Sequence, residues 1–124
     1  MTKTVAVLGA SRDRNKFGNR SVRAHLRAGF EVFPINPHAI EVERLPAFSS
    51  LRDLPPGPID RVTVYLSPEI GIKLLDEIAA RNPREVWFNP GSESDELLEA
   101  AALLGLNTIC ACSIVDAEGS RSGA

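Results

Sequence analysis

A chain of 124 residues, 44% apolar and 24% charged, is too apolar for disorder and long enough for a single core. Folding such a chain buries about two-thirds of its unfolded surface, so no staples are required. Fourteen basic against sixteen acidic residues give a net charge of −2 and a pI near 5.7, without the basic surplus of a nucleic-acid binder.

Two cysteines, Cys110 and Cys112, are too few for a disulfide scaffold. Together with His25 and His38 they do not assemble a zinc cluster, so no metal is expected. Met1 to Val5 leads straight into a strand pattern with no signal-peptide character, and no apolar run approaches a membrane span. The expectation is a soluble, cytoplasmic protein with neither a membrane nor a nucleic acid as partner. Arg12, Arg14, Lys16, Arg20, Arg23 and Arg27 form one local basic run, suited to a small anionic ligand.

The predicted elements alternate. Thr4–Leu8 is a continuous apolar run ending at Gly9, the pattern of a parallel strand covered on both faces. A helix is predicted over 19–28, with Val22 and Leu26 one turn apart, Arg20, Arg23 and Arg27 on another face, and Gly29 as its stop. The second strand is Glu31–Ile35. A short helical turn at 49–54 is broken by Pro55-Pro56-Gly57-Pro58.

A third strand follows at 61–66. Ser67 is then a candidate cap and Pro68 a first helical residue, with Ile70, Leu74, Leu75 and Ile78 in one stripe up to Asn82-Pro83. Glu85–Phe88 is the fourth strand. The next helix starts near Ser92 or Ser94, where Glu93, Asp95 and Glu96 suit its positive end. Its Leu97, Leu98, Ala101 and Leu104 face inward, and Gly105 closes it. The last strand is predicted over 107–111, and the small polar residues 117–124 read as a disordered tail. These elements predict one α/β domain over 1–116, a Rossmann-like doubly wound fold on a five-stranded, mainly parallel sheet.

Ligands of such sheets bind at the carboxyl ends of the strands, near the switch in strand order. The first of those loops begins Gly9-Ala10-Ser11-Arg12. Gly9 permits a tight turn, free amides and the Ser11 hydroxyl donate to phosphate oxygens, and Arg12 and Lys16 neutralise charge. Gly18 allows close backbone approach. The loop is neither a P-loop nor a G-x-G-x-x-G fingerprint, and a plain strand-to-helix turn would use many of the same residues.

After the second strand, Asn36-Pro37-His38 stands where an NAD site places an acid, so an extra ribose phosphate would be tolerated there, although Asn-Pro is equally a simple turn-former. Leu66-Ser67-Pro68 is a helix start whose apolar side can pack an adenine, though capping alone explains Ser67 and Pro68. Asn89-Pro90-Gly91 offers hydrogen bonds at a pocket floor or simply a turn. Trp87 fits core or interface; an exposed Trp87, or an exposed Ile114-Val115 edge, would indicate a homodimer. Cys110 and Cys112 would share one face of a strand and read first as small apolar packing residues.

The segments Val5-Ala6-Val7-Leu8-Gly9-Ala10-Ser11, Lys16-Phe17-Gly18 and Gly29-Phe30-Glu31-Val32-Phe33-Pro34-Ile35-Asn36-Pro37 together resemble the small stand-alone CoA-binding proteins. The resemblance continues through Ser50-Leu51-Arg52-Asp53-Leu54-Pro55, Ile59-Asp60-Arg61-Val62 and Leu66-Ser67-Pro68-Glu69, and spans about Lys3 to Asp116. That family is similar to the nucleotide-binding domain of the succinyl-CoA synthetase α subunit. Asn89-Pro90-Gly91 stands where Gln-x-Gly is more usual, and the common Asp-Arg-Cys near the last strand is missing.

The resemblance implies an extended coenzyme A with its diphosphate on Gly9, Ala10, Ser11 and Arg12, in a loop continued by Lys16, Phe17 and Gly18. Lys16 and the Asn36-Pro37-His38 turn would lie near the phosphorylated ribose. Leu66, Pro68, Asn89 and Gly91 would flank the adenine and the pantetheine path. The expected function is binding of CoA or acyl-CoA as a non-catalytic carrier, sensor or regulator. Its rivals are a thiol-exchange enzyme using Cys110 or Cys112, and an NAD(P)-type binder or interaction domain with a vestigial site.

Overall fold

The computed structural model describes residues 2–122. Five strands, β1 (Thr4–Leu8), β2 (Glu31–Ile35), β5 (Arg61–Val64), β6 (Glu85–Phe88) and β7 (Thr108–Cys110), form one sheet in the order β2-β1-β5-β6-β7. Every pairing in it is parallel. A separate antiparallel hairpin, β3 (Glu41–Val42) and β4 (Leu45–Pro46), lies between β2 and β5 in the chain.

Alternation along β1 explains the three layers. Val5 and Val7 pack with Val22 of α1 (Phe17–Arg27), Val32 and Val42 on one face. Ala6 and Leu8 join Val62, Val64, Phe88 and Leu97 on the other. Both sets are essentially inaccessible to solvent, which is why the run reads as continuously apolar. Pro34 sits within β2, an edge strand, where its missing N–H breaks no ladder; its carbonyl instead accepts the Phe48 amide at 2.9 Å.

The predicted strands at Thr4–Leu8, Glu31–Ile35 and Glu85–Phe88 form with those bounds, while the other two are shorter at their ends. The segment after β5 is not one continuous helix. It comprises α2 (Pro68–Gly71), a 3₁₀ turn (Ile72–Leu74) and α3 (Leu75–Ala80). Pro68 opens it as expected, but the Ser67 side chain makes no capping bond. Ser94 does cap α4 (Asp95–Leu103), its Oγ accepting from the Leu97 amide at 3.1 Å. Leu97 and Ala101 are buried as expected, whereas Leu104 is exposed.

The hairpin turn has no sequence signal, since Glu43 and Arg44 adopt φ of 50° and 66° without a glycine, asparagine or aspartate.

The C-terminal region requires a correction. No helix is predicted after the last strand, and 117–124 read as a disordered tail, yet α5 spans Ser113–Ser122; residues 123–124 lie outside the described residues. What holds α5 is tertiary. Ser113 and Ala117 are fully buried, and Asp116 accepts from Arg61 of β5 at 2.9 Å. A composition of small polar residues shows none of these partners.

Candidate functional site

The chain leaves β1 for β2 on one side, while β5 leads to β6 on the other, so the strand order reverses between β1 and β5. Their carboxyl ends open a crevice there. A cleft of about 590 Å³ occupies it, bounded by Gly9, Ala10, Ser11 and Lys16 of the β1–α1 loop and by Asn36, Pro37 and His38 after β2. Another wall comes from the segment after β5, with Leu66, Ile70, Leu74 and Glu77, and Ser49 and Ser50 ahead of β5 also line the cleft. A second cleft of about 280 Å³ runs on past Phe17, Gly18 and Gly91. The two share Gly9, Lys16, Tyr65 and Leu66, and so form one path across the strand ends.

Close packing shapes the loop. Gly9 has φ of +86°, and a β-carbon there would lie 3.0 Å from the Tyr65 carbonyl oxygen. Gly18 is tighter still, since its β-carbon would fall 2.0 Å from the Gly9 carbonyl oxygen. The N-cap of α1 is Lys16, which makes no side-chain cap. Among the described residues, the amides of residues 9–12, 17 and 18 have no acceptor, so the loop and the helix start present a set of unmatched donors. The Ser11 hydroxyl accepts the Asp13 amide at 3.0 Å and keeps its own proton to donate.

Buried Asn19 braces the loop from below. Its Nδ2 donates to the Ser11 carbonyl at 2.8 Å and to Glu43 Oε2 at 3.1 Å, and its Oδ1 accepts Arg23 Nε at 2.9 Å. Sequence reasoning missed both Asn19 and Glu43, because the hairpin that delivers Glu43 carries no signal. Asn36 is a second brace. Its Nδ2 donates to the Ala10 carbonyl at 2.9 Å and its Oδ1 accepts the His38 amide at 2.7 Å. Asn36 therefore joins the β2 turn to the β1–α1 loop while lining the cleft.

Three expected residues lie apart from these walls. Arg12 is exposed and lines neither cleft, and Pro68 serves only as the first residue of α2. Asn89 is 3% exposed, and its amide is engaged in the core. Asn89 Nδ2 donates to Thr63 Oγ1 at 2.7 Å and to the Val64 carbonyl at 2.9 Å. Its Oδ1 accepts the Ser113 amide at 2.8 Å and the Ser113 hydroxyl at 3.0 Å. Asn89 thus ties β5 to α5 instead of forming a pocket floor.

The Tyr65 hydroxyl pairs with Ser113 Oγ at 2.8 Å, and burial pushes its pKa above the ordinary 10.0. Tyr65, Leu74 and Glu77 line the cleft without having been singled out as binding residues. Ile70, expected in a core stripe, is half exposed at that wall, where a broken helix turns it outward from the core.

The cysteines do not share a strand face, because β7 stops at Cys110 and Cys112 lies just ahead of α5. Cys110 is exposed and not a core packing residue; partial desolvation, then the nearby Glu93 charge, raises its thiol above the ordinary pKa, the reverse of activation. Cys112 lines a different cleft, of about 350 Å³, with Arg20, Arg23 and Arg27. Trp87 is buried, with Arg61 stacked over it at 4.5 Å, and so supplies no dimer face; Val115 is exposed. Among the described residues, no group of three or more His, Cys, Asp or Glu is placed to hold a metal, and no helix is long and apolar enough to cross a membrane.

Comparison with known proteins gives consistent matches. The chain is 30% identical over 95 residues to the Bacillus subtilis protein YneT, covering 77% of this chain and 70% of that one. A conserved hypothetical protein from Pyrococcus furiosus superposes with a TM-score of 0.82 at 30% identity, covering 94% of this chain and 99% of that chain. An acetyl-coenzyme A synthetase from Ca. Korarchaeum cryptofilum shares the fold, with a TM-score of 0.76 at 24% identity over 88% of this chain and 25% of that one. The profile of the CoA binding domain family matches residues 3–118, nearly the full length. The chain belongs to the CoA binding domain family.

Proposed function

We propose that this chain binds coenzyme A or an acyl-CoA across the carboxyl ends of β1 and β5, as a non-catalytic carrier, sensor or regulator. The observation that carries the reading is the run of unmatched amides at residues 9–12, 17 and 18, beside a cleft of about 590 Å³ at the strand-order switch. The diphosphate lies on Gly9, Ala10 and Ser11, with Arg12 and Lys16 supplying positive charge. The adenosine lies between the Asn36-Pro37-His38 turn and Leu66, and the pantetheine arm follows the second cleft past Phe17, Gly18 and Gly91. Family membership supports the ligand class.

Isothermal titration against CoA, acetyl-CoA, NAD, NADP and ATP tests this. The expected result is tightest binding to CoA or acetyl-CoA, weakened at least tenfold in S11A/R12A, the weight of about 1.4 kcal/mol. Binding of NAD alone, or unchanged CoA affinity in the double variant, would overturn the reading.

A further inference from the structure

The cleft wall formed by Leu66, Ile70 and Leu74 is apolar, yet Glu77 of α3 lies on it. Glu77 is half-buried, and its Oε1 accepts the Leu51 amide at 2.9 Å. That bond anchors the side chain at one oxygen. The other oxygen, Oε2, has no donor among the described residues. A carboxylate oxygen beside apolar side chains is unfavourable once a ligand displaces water, unless the ligand itself supplies a donor.

We infer that Glu77 is the base-reading residue of the cleft, its Oε2 accepting the exocyclic amine of an adenine packed against Leu66, Ile70 and Leu74. The inference rests on the nucleotide-binding reading above. A carboxylate only accepts, so a 6-oxo purine would set acceptor against acceptor. Guanine in the same pose also brings its 6-carbonyl oxygen to Oε2, again acceptor against acceptor. Ser49 and Ser50, which also line the cleft, both donate and accept and so do not discriminate.

Adenosine 3′,5′-bisphosphate and inosine 3′,5′-bisphosphate are the probes, titrated into the wild-type protein and into E77Q. The glutamine keeps an acceptor for the Leu51 amide and offers an NH₂ where the carboxylate oxygen was. In the wild-type protein the adenosine compound is expected to bind about 10- to 100-fold more tightly, the range of a hydrogen bond to a charged group. In E77Q that ratio is expected to collapse or invert, with an unchanged unfolding midpoint. Equal wild-type affinities, or a ratio unaltered in E77Q, would refute the role of Glu77 while leaving nucleotide binding intact. Failure of the wild-type protein to bind either probe or CoA would refute both readings. The wild-type comparison stands even if E77Q does not fold.

Discussion

Gly18 and Gly9 touch so closely that a single β-carbon on Gly18 would lie 2.0 Å from the Gly9 carbonyl oxygen. The first turn of α1 therefore lies directly on the loop that follows β1, and the unmatched amides of both belong to one surface. G18A forces the helix away from the loop. The expected loss is about 3 kcal/mol of stability, an overpacking effect against backbone that cannot rotate aside. Urea denaturation measures the first effect, and titration with CoA is expected to show a further affinity loss of more than tenfold in the folded fraction.

Asn36 holds the same loop from the other side. N36D would place a carboxylate oxygen against the Ala10 carbonyl, which now accepts Nδ2 at 2.9 Å. A simple swap to the acid of an NAD site would gain NAD affinity. The bond to Ala10 predicts otherwise: CoA binding falls about tenfold or more and NAD binding does not rise. Parallel titrations of the two ligands decide the matter.

Asn89 is expected to act on stability before anything else. N89A leaves the Ser113 amide and the Val64 carbonyl without side-chain partners inside the core. Removing the centre of a buried network costs about 2–4 kcal/mol. Amide hydrogen exchange at the start of α5 should accelerate along with a lowered midpoint in guanidinium. A variant of wild-type stability that lacks CoA binding would contradict this.

His25 gives the fold a pH dependence. Its Nδ1 lies 2.8 Å from the Ser21 carbonyl, which can only accept, so Nδ1 carries the proton. Nε2 is then an acceptor facing Arg61 Nη1 at 3.3 Å. Burial, opposed by the Ser21 bond and aided by the Arg61 charge, lowers the pKa from 6.5 to about 4.

Between those values the unfolded chain binds a proton that the folded chain does not. This contribution to stability is therefore complete above pH 6.5 and declines as pH falls towards 4, by about 3 kcal/mol in total. Urea unfolding at pH 7.5 and 4.5 should show a larger drop in the wild-type protein than in H25Q, which keeps a donor for Ser21 but does not titrate.

Local rules made much of this protein legible. A strand flanked by helices on both faces must be apolar without interruption, so β1 announces itself in Val5 to Leu8, and Gly9 marks its end. Parallel strands in turn impose a crevice at their carboxyl ends, which puts Ser11, Lys16 and Asn36 beside it from sequence position alone. What one-dimensional pattern does not contain is which polar side chain meets which partner across the chain. Asn36 and Asn89 look alike in sequence, each an Asn-Pro after a strand. Only the packing shows that Asn36 lines the cleft while bracing Ala10, and that Asn89 is enclosed between Thr63 and Ser113. The same holds for Glu43, Glu77 and α5, whose positions depend on contacts between segments 24 to 55 residues apart. Local pattern determined the five strands of the sheet and the helices between them; the hairpin, α5 and the placement of buried hydrogen-bond partners and charges, properties of the assembled core, decided the site.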